Sequence, residues 1–223
     1  MQKVLNITIL TDQGSWMNKY NILLTEMLRK NGHCVKVIHS EKELPSGDIA
    51  FFLSYFGIIS IDYLRRHKNN IVVHASKLPY GKGWSPMTWQ ILEGKNEIPI
   101  TLFEAVEKMD SGDIYLEDIV KLDGSELLAE WQVKLGKKVC AMCLEYVKQY
   151  QAKTIIPRQQ NGQSTYYARR KPEDSELDTS KTLDEQFNLL RTVDNDKYPA
   201  FFYKNGHTYL LKIFTPPPPP IKK

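Results

Sequence analysis

The stretch Asp48-Ile-Ala-Phe-Phe-Leu-Ser-Tyr55 is almost continuously apolar. A strand that is buried on both faces has this composition, and such strands are typical of parallel sheets covered by helices. On its N-terminal side the pattern predicts a strand at 6–10, a helix that begins near Trp16 and ends before Gly32, and a strand at 35–38. The alternation of strands with helices indicates an α/β fold built on a parallel sheet.

The same alternation continues toward the C-terminus. A short helix at 62–67 and a strand at 71–74 come first, and a helix is predicted at 87–93. Two strand-like segments follow at 99–105 and 114–121, and a long amphipathic helix is predicted over 125–150. We therefore expect residues 1–150 to form a Rossmann-like, three-layer α/β domain.

After residue 150 the composition becomes more polar, which places a boundary there. A capping box at Thr182 predicts a helix that extends to about residue 194, and Asn205-Gly206 predicts the turn of a β-hairpin. Residues 151–215 are therefore expected to form a small α+β subdomain. Residues 216–223 are rich in proline and are predicted to be an extended tail.

The composition excludes several classes of protein. With 42% hydrophobic and 25% charged residues, the chain has the balance of a folded globular protein. It contains no apolar run of the ~20 residues that a membrane span requires, and its first residues lack the features of a signal peptide. Its three cysteines suit a reducing compartment. We therefore expect a cytoplasmic protein that does not contact a membrane.

The charges are unevenly distributed along the chain. Residues 1–150 contain 18 Lys and Arg against 18 Asp and Glu, whereas residues 151–223 contain 12 against 8. Enzymes that act on nucleic acids usually present a concentrated basic face, because binding depends on many phosphate contacts. We therefore expect a small-molecule substrate and no nucleic acid. The oligomeric state stays open, with a homodimer as one candidate.

A group of chemically active residues follows the strand that ends at His74. The sequence reads His74-Ala-Ser-Lys-Leu-Pro79, then Gly83-Trp-Ser-Pro86 and Trp89, and finally Asp110-Ser-Gly-Asp-Ile114. Ligands of open α/β sheets bind at the carboxyl ends of the strands, which is where His74 is predicted to lie. We therefore expect these segments to meet at one site.

These segments resemble the formyltransferase family, in which Asn-x-His-x-Ser-x-Leu-Pro precedes a basic glycine loop, a Trp-bearing helix and Asp-x-Gly-x-Ile. The resemblance implies transfer of a formyl group from N10-formyltetrahydrofolate to an amine, without a metal. It assigns His74 as hydrogen-bond donor to the oxyanion and as acid toward the departing nitrogen. It assigns Asp110 as the carboxylate partner of that imidazole.

One position departs from the family pattern. The family places a side-chain amide two residues before the histidine, where this chain has Val72. Asn70 lies two residues further back and on the same face of the predicted strand, which makes its amide a candidate substitute. Ser76 or an ordered water are the other candidates for this role.

The resemblance also implies binding positions. The predicted cofactor-binding residues are Gly57, Ile58, Ile59, Ser76, Leu78, Pro79, Trp84, Val106, Lys108 and Met109. The predicted substrate-binding residues are Tyr80, Lys82, Arg169 and Arg170. The two arginines are included because a guanidinium binds phosphate through two parallel hydrogen bonds. A solvated basic cluster is the alternative interpretation of this segment.

The C-terminal segment indicates the acceptor. Residues 167–178, 188–191 and 198–201 resemble sugar-nucleotide N-formyltransferases, and the loop from His74 to Pro86 resembles the formyltransferase of pseudaminic-acid biosynthesis. These resemblances imply a nucleotide-linked amino sugar as substrate. Methionyl-tRNA and glycinamide ribonucleotide are alternatives, although the neutral first 150 residues and the short segment after them leave little room for a nucleic-acid-binding barrel. A catalytically silent folate-binding homologue is a third alternative, motivated by Val72.

The remaining candidate sites favour structural roles. Cys140 and Cys143 form a C-x-x-C pair, but both lie inside a predicted helix and no second pair of metal ligands accompanies them. Four further histidines show no metal-ligand spacing, namely His33, His39, His67 and His207. Asp113 is interpreted as a turn residue. We therefore predict no metal site.

Overall fold

The computed structural model describes residues 3–216, so the predicted tail at 216–223 lies outside the described residues apart from Pro216. The strands are β1 Asn6–Leu10, β2 Cys34–Ile38, β3 Gly47–Phe52, β4 His67–His74, β5 Lys82–Gly83, β6 Glu97–Glu104, β7 Ile114–Lys121, β8 Tyr166–Tyr167, β9 Ala200–Lys204 and β10 His207–Leu211. The helices are α1 Asn18–Lys30, α2 Ile61–Leu64, α3 Pro86–Leu92, α4 Leu128–Ala152 and α5 Phe187–Leu190. Within 3–216, no helix combines the length and the apolar character needed to cross a membrane.

Six strands form the central sheet, in the order β2-β1-β3-β4-β6-β7. The first four are parallel to one another, whereas β6 and β7 run antiparallel to their neighbours. The predicted Rossmann-like α/β class is confirmed. The prediction of a parallel sheet was wrong for β6, which runs opposite to the other five strands. A loop without a crossover helix joins β6 to β7, and neighbouring strands connected in this way are antiparallel.

The two faces of the sheet are covered unequally. On one face Ile7 and Ile9 of β1 pack with Leu24 of α1 and Tyr146 of α4, all buried in the main core. Alternate residues of a strand point to opposite faces. Leu10 accordingly belongs to a second, smaller cluster on the other face, which α2 and connecting loops cover. Val72, two residues before His74, packs against this smaller cluster.

The segment after α4 first packs on β5 and β7 and then forms a small cluster of its own. Strand β8 pairs in parallel with β5, and Arg158 forms a bridge with Ile114 at the start of β7. Further along, the hairpin of β9 and β10 packs over a cluster of buried residues that comprises Leu177, Leu190, Val193 and Ala200. The predicted hairpin is therefore confirmed, and the boundary at residue 150 stays a prediction.

The helix predicted from Thr182 to about residue 194 was wrong in length. The backbone N–H of Glu185 does bond to the Thr182 hydroxyl, as in a capping box, but only the single turn of α5 follows. The side-chain amide of Gln186 donates to the carbonyls of Asp178 and Thr182. These contacts stabilise a series of turns before α5, because side-chain bonds to the backbone compete with helix formation.

Candidate active site

His74 is the last residue of β4 and is buried. Strand β4 extends beyond its neighbour β3, whose last residue Phe52 pairs with Val72, so that His74 stands at the carboxyl edge of the parallel strands. Nε2 of His74 lies 2.8 Å from the carbonyl oxygen of Gly81. Because a carbonyl oxygen only accepts hydrogen bonds, Nε2 carries a proton, and Nδ1 is the nitrogen left for a ligand.

Asp110 lies in the loop between β6 and β7, in the left-handed conformation with φ of 49°. Its carboxylate oxygen Oδ2 accepts a hydrogen bond of 2.9 Å from the backbone N–H of Gly83. Its backbone carbonyl accepts a hydrogen bond from the side chain of Gln160, which also donates to the carbonyl of Gly112. A left-handed aspartate is uncommon, and strained residues of this kind concentrate at functional sites.

The structure brings His74 and Asp110 to the same loop, but not into contact with each other. Among residues 3–216 no hydrogen bond joins the two side chains; His74 bonds to Gly81 and Asp110 bonds to Gly83. The direct pairing expected from the sequence is therefore replaced by an indirect one, because the loop that contains β5 lies between the imidazole and the carboxylate. The glycine contacts were missed because backbone partners carry no signal in a sequence.

The Asn70 side chain bonds to the end of α2. Its side-chain N–H donates to the carbonyl of Leu64 at 2.8 Å, at the end of α2, and its Oδ1 has no partner among the described residues. A helix end leaves carbonyl groups without intrahelical partners, and the Asn70 amide satisfies one of them. The role suggested for Asn70 in holding the oxyanion stays a prediction, because an amide carries two N–H donors and the bond to Leu64 uses one of them.

Lys82 is a buried cation in the loop that forms hydrogen bonds with both His74 and Asp110. Its side chain is only 3% exposed, and Nζ donates to the Ser111 hydroxyl at 2.8 Å. No carboxylate within the described part of the chain lies within 4 Å of Nζ. Burial lowers the pKa of Lys82, the positive charge of Lys108 lowers it further, and the charge of Asp110 acts in the opposite direction.

Trp84 and Arg169 form the mouth of this region. The Trp84 indole stacks on Phe56, with 5.5 Å between ring centroids, and the Arg169 guanidinium lies 4.8 Å from the indole ring. Arg170 lies 5.6 Å from the ring of Trp89. The pairing of β5 with β8 places both arginines beside the loop that bonds to His74. Phe56 was missed by the sequence analysis, since a lone aromatic in a loop has no distinctive pattern.

The predicted cofactor-binding residues fall into an exposed and a buried group. The exposed or partly exposed ones lie in the loops after β3 and after β6 and comprise Gly57, Ile58, Ile59, Val106, Lys108 and Met109. Ile59, Ala105 and Val72 pack on the same small cluster, so these two loops converge near position 72. The exposed apolar side chains of Ile58, Val106 and Met109 lie in these loops.

Ser76, Leu78 and Pro79 are buried. Leu78 packs with Phe103 and Ile114, and the Ser76 hydroxyl has no partner in the described part of the chain. These residues therefore shape the loop after His74. Tyr80, predicted as a substrate contact, is half exposed at the outside of the same loop.

A separate groove of about 950 Å³ lies between β7 and α4. Its lining includes five lysines, Lys77, Lys121, Lys134, Lys137 and Lys138, and none of the predicted site residues. Three of these lysines already pair with the carboxylates of Glu97, Glu126 and Asp118. The residues that line this groove include no histidine, the side chain most often used for acid–base chemistry near neutral pH. Residues 3–216 also contain no cluster of three His, Cys, Asp or Glu side chains that could hold a metal.

Sequence comparison identifies relatives of this chain. Residues 25–138, just over half of the 223 residues, match the formyl transferase family. Methionyl-tRNA formyltransferase of Bacillus licheniformis is 32% identical over 145 residues, which are 65% of this chain and 45% of that protein. The chain therefore spans less than half the length of this curated relative.

Solved structures of similar fold have low sequence identity. HypX from Aquifex aeolicus in complex with tetrahydrofolic acid superposes with a TM-score of 0.78 at 17% identity, over 95% of this chain and 38% of that one. A sugar N-formyltransferase from Shewanella sp. superposes with a TM-score of 0.65 at 14% identity, over 94% and 97%. At these identities the likeness shows a shared fold.

Proposed function

Since the chain belongs to the formyl transferase family, we propose that it transfers the formyl group of N10-formyltetrahydrofolate to the amine of a nucleotide-linked amino sugar. The acceptor would be of the kind used in surface-glycan or pseudaminic-acid biosynthesis. The observation that carries the proposal is the position of Arg169 on Trp84, directly beside the loop that bonds to His74 and Asp110. This position brings a group that can bind phosphate, Arg169, near a group that can move protons, His74, at one edge of the sheet.

The residues near Val72 suit a folate. The loops after β3 and β6 present Ile58, Val106 and Met109, and the stacked rings of Phe56 and Trp84 stand beside them. Ligand sites of this kind are mostly apolar and aromatic, with a few placed polar groups, and a flat ring stacks well on an aromatic side chain. When bound there, N10-formyltetrahydrofolate supplies the formyl carbon that the amine attacks. The tetrahydrofolate complex of HypX, which has the same fold, supports this assignment.

His74 is proposed to move the proton. The attacking amine loses one proton and the departing folate nitrogen gains one, so the imidazole can accept the first and donate the second and end unchanged. The Gly81 carbonyl holds the ring by Nε2, which leaves Nδ1 for this exchange. Asp110 is proposed to act through the loop, since its bond to Gly83 fixes the backbone that orients His74.

Arg169 and Arg170 are proposed to bind the phosphates of the acceptor. The Arg169 guanidinium contacts the Trp84 ring, and no carboxylate within residues 3–216 pairs with it. Arg170 donates to the backbone carbonyl of Asp174 while it lies over Trp89. A guanidinium that lies over an indole can still donate from its outer N–H groups to a phosphate.

Methionyl-tRNA is the second candidate acceptor. It is favoured by the 32% identity to the Bacillus licheniformis enzyme, whose name states that substrate. Against it, the lysine-lined groove beside α4 is largely neutralised by ion pairs, and residues 1–150 carry equal numbers of basic and acidic side chains. A polyanion binds most strongly to a concentrated and unpaired basic face.

A turnover assay tests the proposed function. The chain is mixed with N10-formyltetrahydrofolate and, in separate reactions, nucleotide-linked amino sugars, methionyl-tRNA or glycinamide ribonucleotide, and the release of tetrahydrofolate is followed. We expect release with an amino sugar nucleotide. Release with methionyl-tRNA alone would support the second candidate, and tetrahydrofolate binding without release on any amine would contradict the formyl-transfer proposal.

A further inference from the structure

Lys82 has more hydrogen-bonding capacity than the structure uses. An ammonium group carries three N–H donors, and within the described part of the chain Nζ of Lys82 makes one hydrogen bond, to the neutral hydroxyl of Ser111. The side chain is almost fully buried, where an unpaired charge is strongly disfavoured. A fold keeps such a group when another component of the working protein satisfies it.

The position of Lys82 ties it to the reacting groups. The residue before it accepts a hydrogen bond from His74, and the residue after it donates one to Asp110. Standard backbone dimensions then place the Lys82 α-carbon within about 6 Å of both the imidazole Nε2 and the carboxylate Oδ2. Its ammonium group reaches Ser111, the residue next to Asp110.

The site also lacks the side-chain amide donor that the family pattern places at position 72. Attack on a formyl carbon places negative charge on its oxygen, and enzymes stabilise such charge with preorganised donors. Val72 lies on the same face of β4 as His74, and its side chain cannot donate a hydrogen bond. The Asn70 amide donates one hydrogen bond to the carbonyl of Leu64. Among the described residues around His74, Lys82 is the buried cation with donors to spare.

We infer that the Lys82 ammonium group holds the oxygen of the formyl group as negative charge develops on it, in place of the amide that position 72 lacks. This role rests on the proposed function. As the amine nitrogen bonds to the formyl carbon, the carbonyl π electrons move to the oxygen, which Lys82 binds. When the bond between the formyl carbon and the folate nitrogen breaks, the nitrogen keeps the electron pair of that bond and accepts a proton from His74. The C=O bond then re-forms.

A purely positioning role for Lys82 would act through Ser111. The Ser111 hydroxyl also donates to the carbonyl of Met109, so Lys82 contributes to the shape of the segment that carries Asp110. Replacing Ser111 by Ala removes that link and leaves the ammonium charge in place. Ser111→Ala is therefore the matched control for Lys82→Met.

The kinetic test compares these variants in the full chain. We expect Lys82→Met to lower kcat about 100-fold, as loss of an oxyanion donor does, with KM for N10-formyltetrahydrofolate nearly unchanged. Ser111→Ala should change kcat by less than about threefold, and adding Val72→Asn to Lys82→Met should restore about tenfold. Equal losses in Lys82→Met and Ser111→Ala, without rescue by Val72→Asn, would overturn the inference and leave a positioning role.

A binding measurement does not depend on turnover. Sodium formate, labelled with carbon-13, is titrated into the chain saturated with tetrahydrofolate and followed by NMR. We expect the unaltered chain to bind formate and Lys82→Met to bind it at least about tenfold more weakly, with tetrahydrofolate affinity unchanged; equal formate affinity in both would overturn the inference. If the unaltered chain turns over and Lys82→Met does so equally, the inference alone fails. If the unaltered chain never releases tetrahydrofolate, the proposed function fails and the inference with it.

Discussion

Lys82 and Arg191 are both buried cations, and the structure treats them in opposite ways. Arg191, 1% exposed, lies 3.7 Å from the carboxylate of Glu126 and donates to the side-chain oxygens of Asn96 and Asn188. Among residues 3–216, the ammonium group of Lys82 bonds only to the Ser111 hydroxyl. The charge of Arg191 is thus neutralised within the fold, whereas that of Lys82 is left for a ligand.

The locations of the two cations explain the difference. Arg191 follows α5 and connects it to the start of α4. It pairs with Glu126, and its backbone carbonyl accepts a hydrogen bond from the Trp131 indole. Lys82 stands in the loop that bonds to His74 and Asp110. A charge paired with a carboxylate stabilises one arrangement, and a charge without such a partner lowers stability while it keeps binding capacity at a functional site.

Arg191→Met is expected to have the largest effect on stability. Removing one partner of a buried ion pair costs about 3–5 kcal/mol, because the remaining groups lose their compensation. Urea unfolding measures the free energy of unfolding. Arg158→Met is the control, since Arg158 pairs with Glu117 at the surface and exposed pairs contribute about 0–1 kcal/mol. Similar losses in both variants would remove the distinction between the two arginines.

Lys82→Met should separate activity from stability. Replacing an unpaired buried ammonium by an apolar side chain of similar length should leave the free energy of unfolding unchanged or raise it by up to about 1 kcal/mol. The same variant should lose the activity described above. Urea unfolding and turnover are measured on one preparation. If Lys82→Met lowers the free energy of unfolding as much as Arg191→Met does, both cations stabilise the fold and the distinction between them is lost.

Gln160→Ala is expected to have a moderate effect. The Gln160 side chain donates to the carbonyls of Asp110 and Gly112 and so holds the loop that carries the carboxylate. Looser positioning of this loop should lower kcat about tenfold, with little change in substrate binding. Steady-state kinetics measures both quantities. An unchanged kcat would mean that the fixed position of Asp110 is unimportant.

Trp84→Ala should produce the smallest effect, and on binding alone. The variant removes the ring on which Arg169 lies and which stacks on Phe56. A cation–π contact at a partly exposed site contributes about 0.5–1 kcal/mol, so KM for the nucleotide-linked substrate should rise about two- to fivefold. Leu210→Ala, a change at an exposed residue of the distant hairpin, is the control. A fall in kcat would assign Trp84 to the chemistry itself.

The sequence predicted the parts of the fold that depend on periodicity. The buried strand at Gly47–Phe52, the amphipathic helix α4 and the Asn205-Gly206 hairpin all follow from hydrophobic spacing and turn chemistry. The direction of β6 did not follow, because it depends on pairing with β4, which is distant in the sequence. The length of α5 did not follow, because the side-chain bonds of Gln186 to the backbone leave no periodic pattern. The two-residue pairing of β5 with β8 is likewise too short to leave a pattern.

The candidate site was predictable in its residue types but not in its contacts. His74 and Asp110 could be found from motif spacing, yet their link through the backbone of Gly81 and Gly83 could not. Lys82 was predicted to bind substrate, and its burial was not predicted. The next residue, Gly83, lies against the backbone carbonyl of Tyr167, a close approach between segments that are distant in the sequence.

The release of tetrahydrofolate from N10-formyltetrahydrofolate in the presence of a nucleotide-linked amino sugar tests the central claim most directly, with His74→Ala measured beside the unaltered chain. We expect steady release by the unaltered chain and a rate about 10²–10⁴-fold lower for His74→Ala, since positioned acid–base groups contribute this much. Circular dichroism should show the same fold for both. Equal rates for a folded His74→Ala variant would contradict the assignment of His74 as the group that moves the proton.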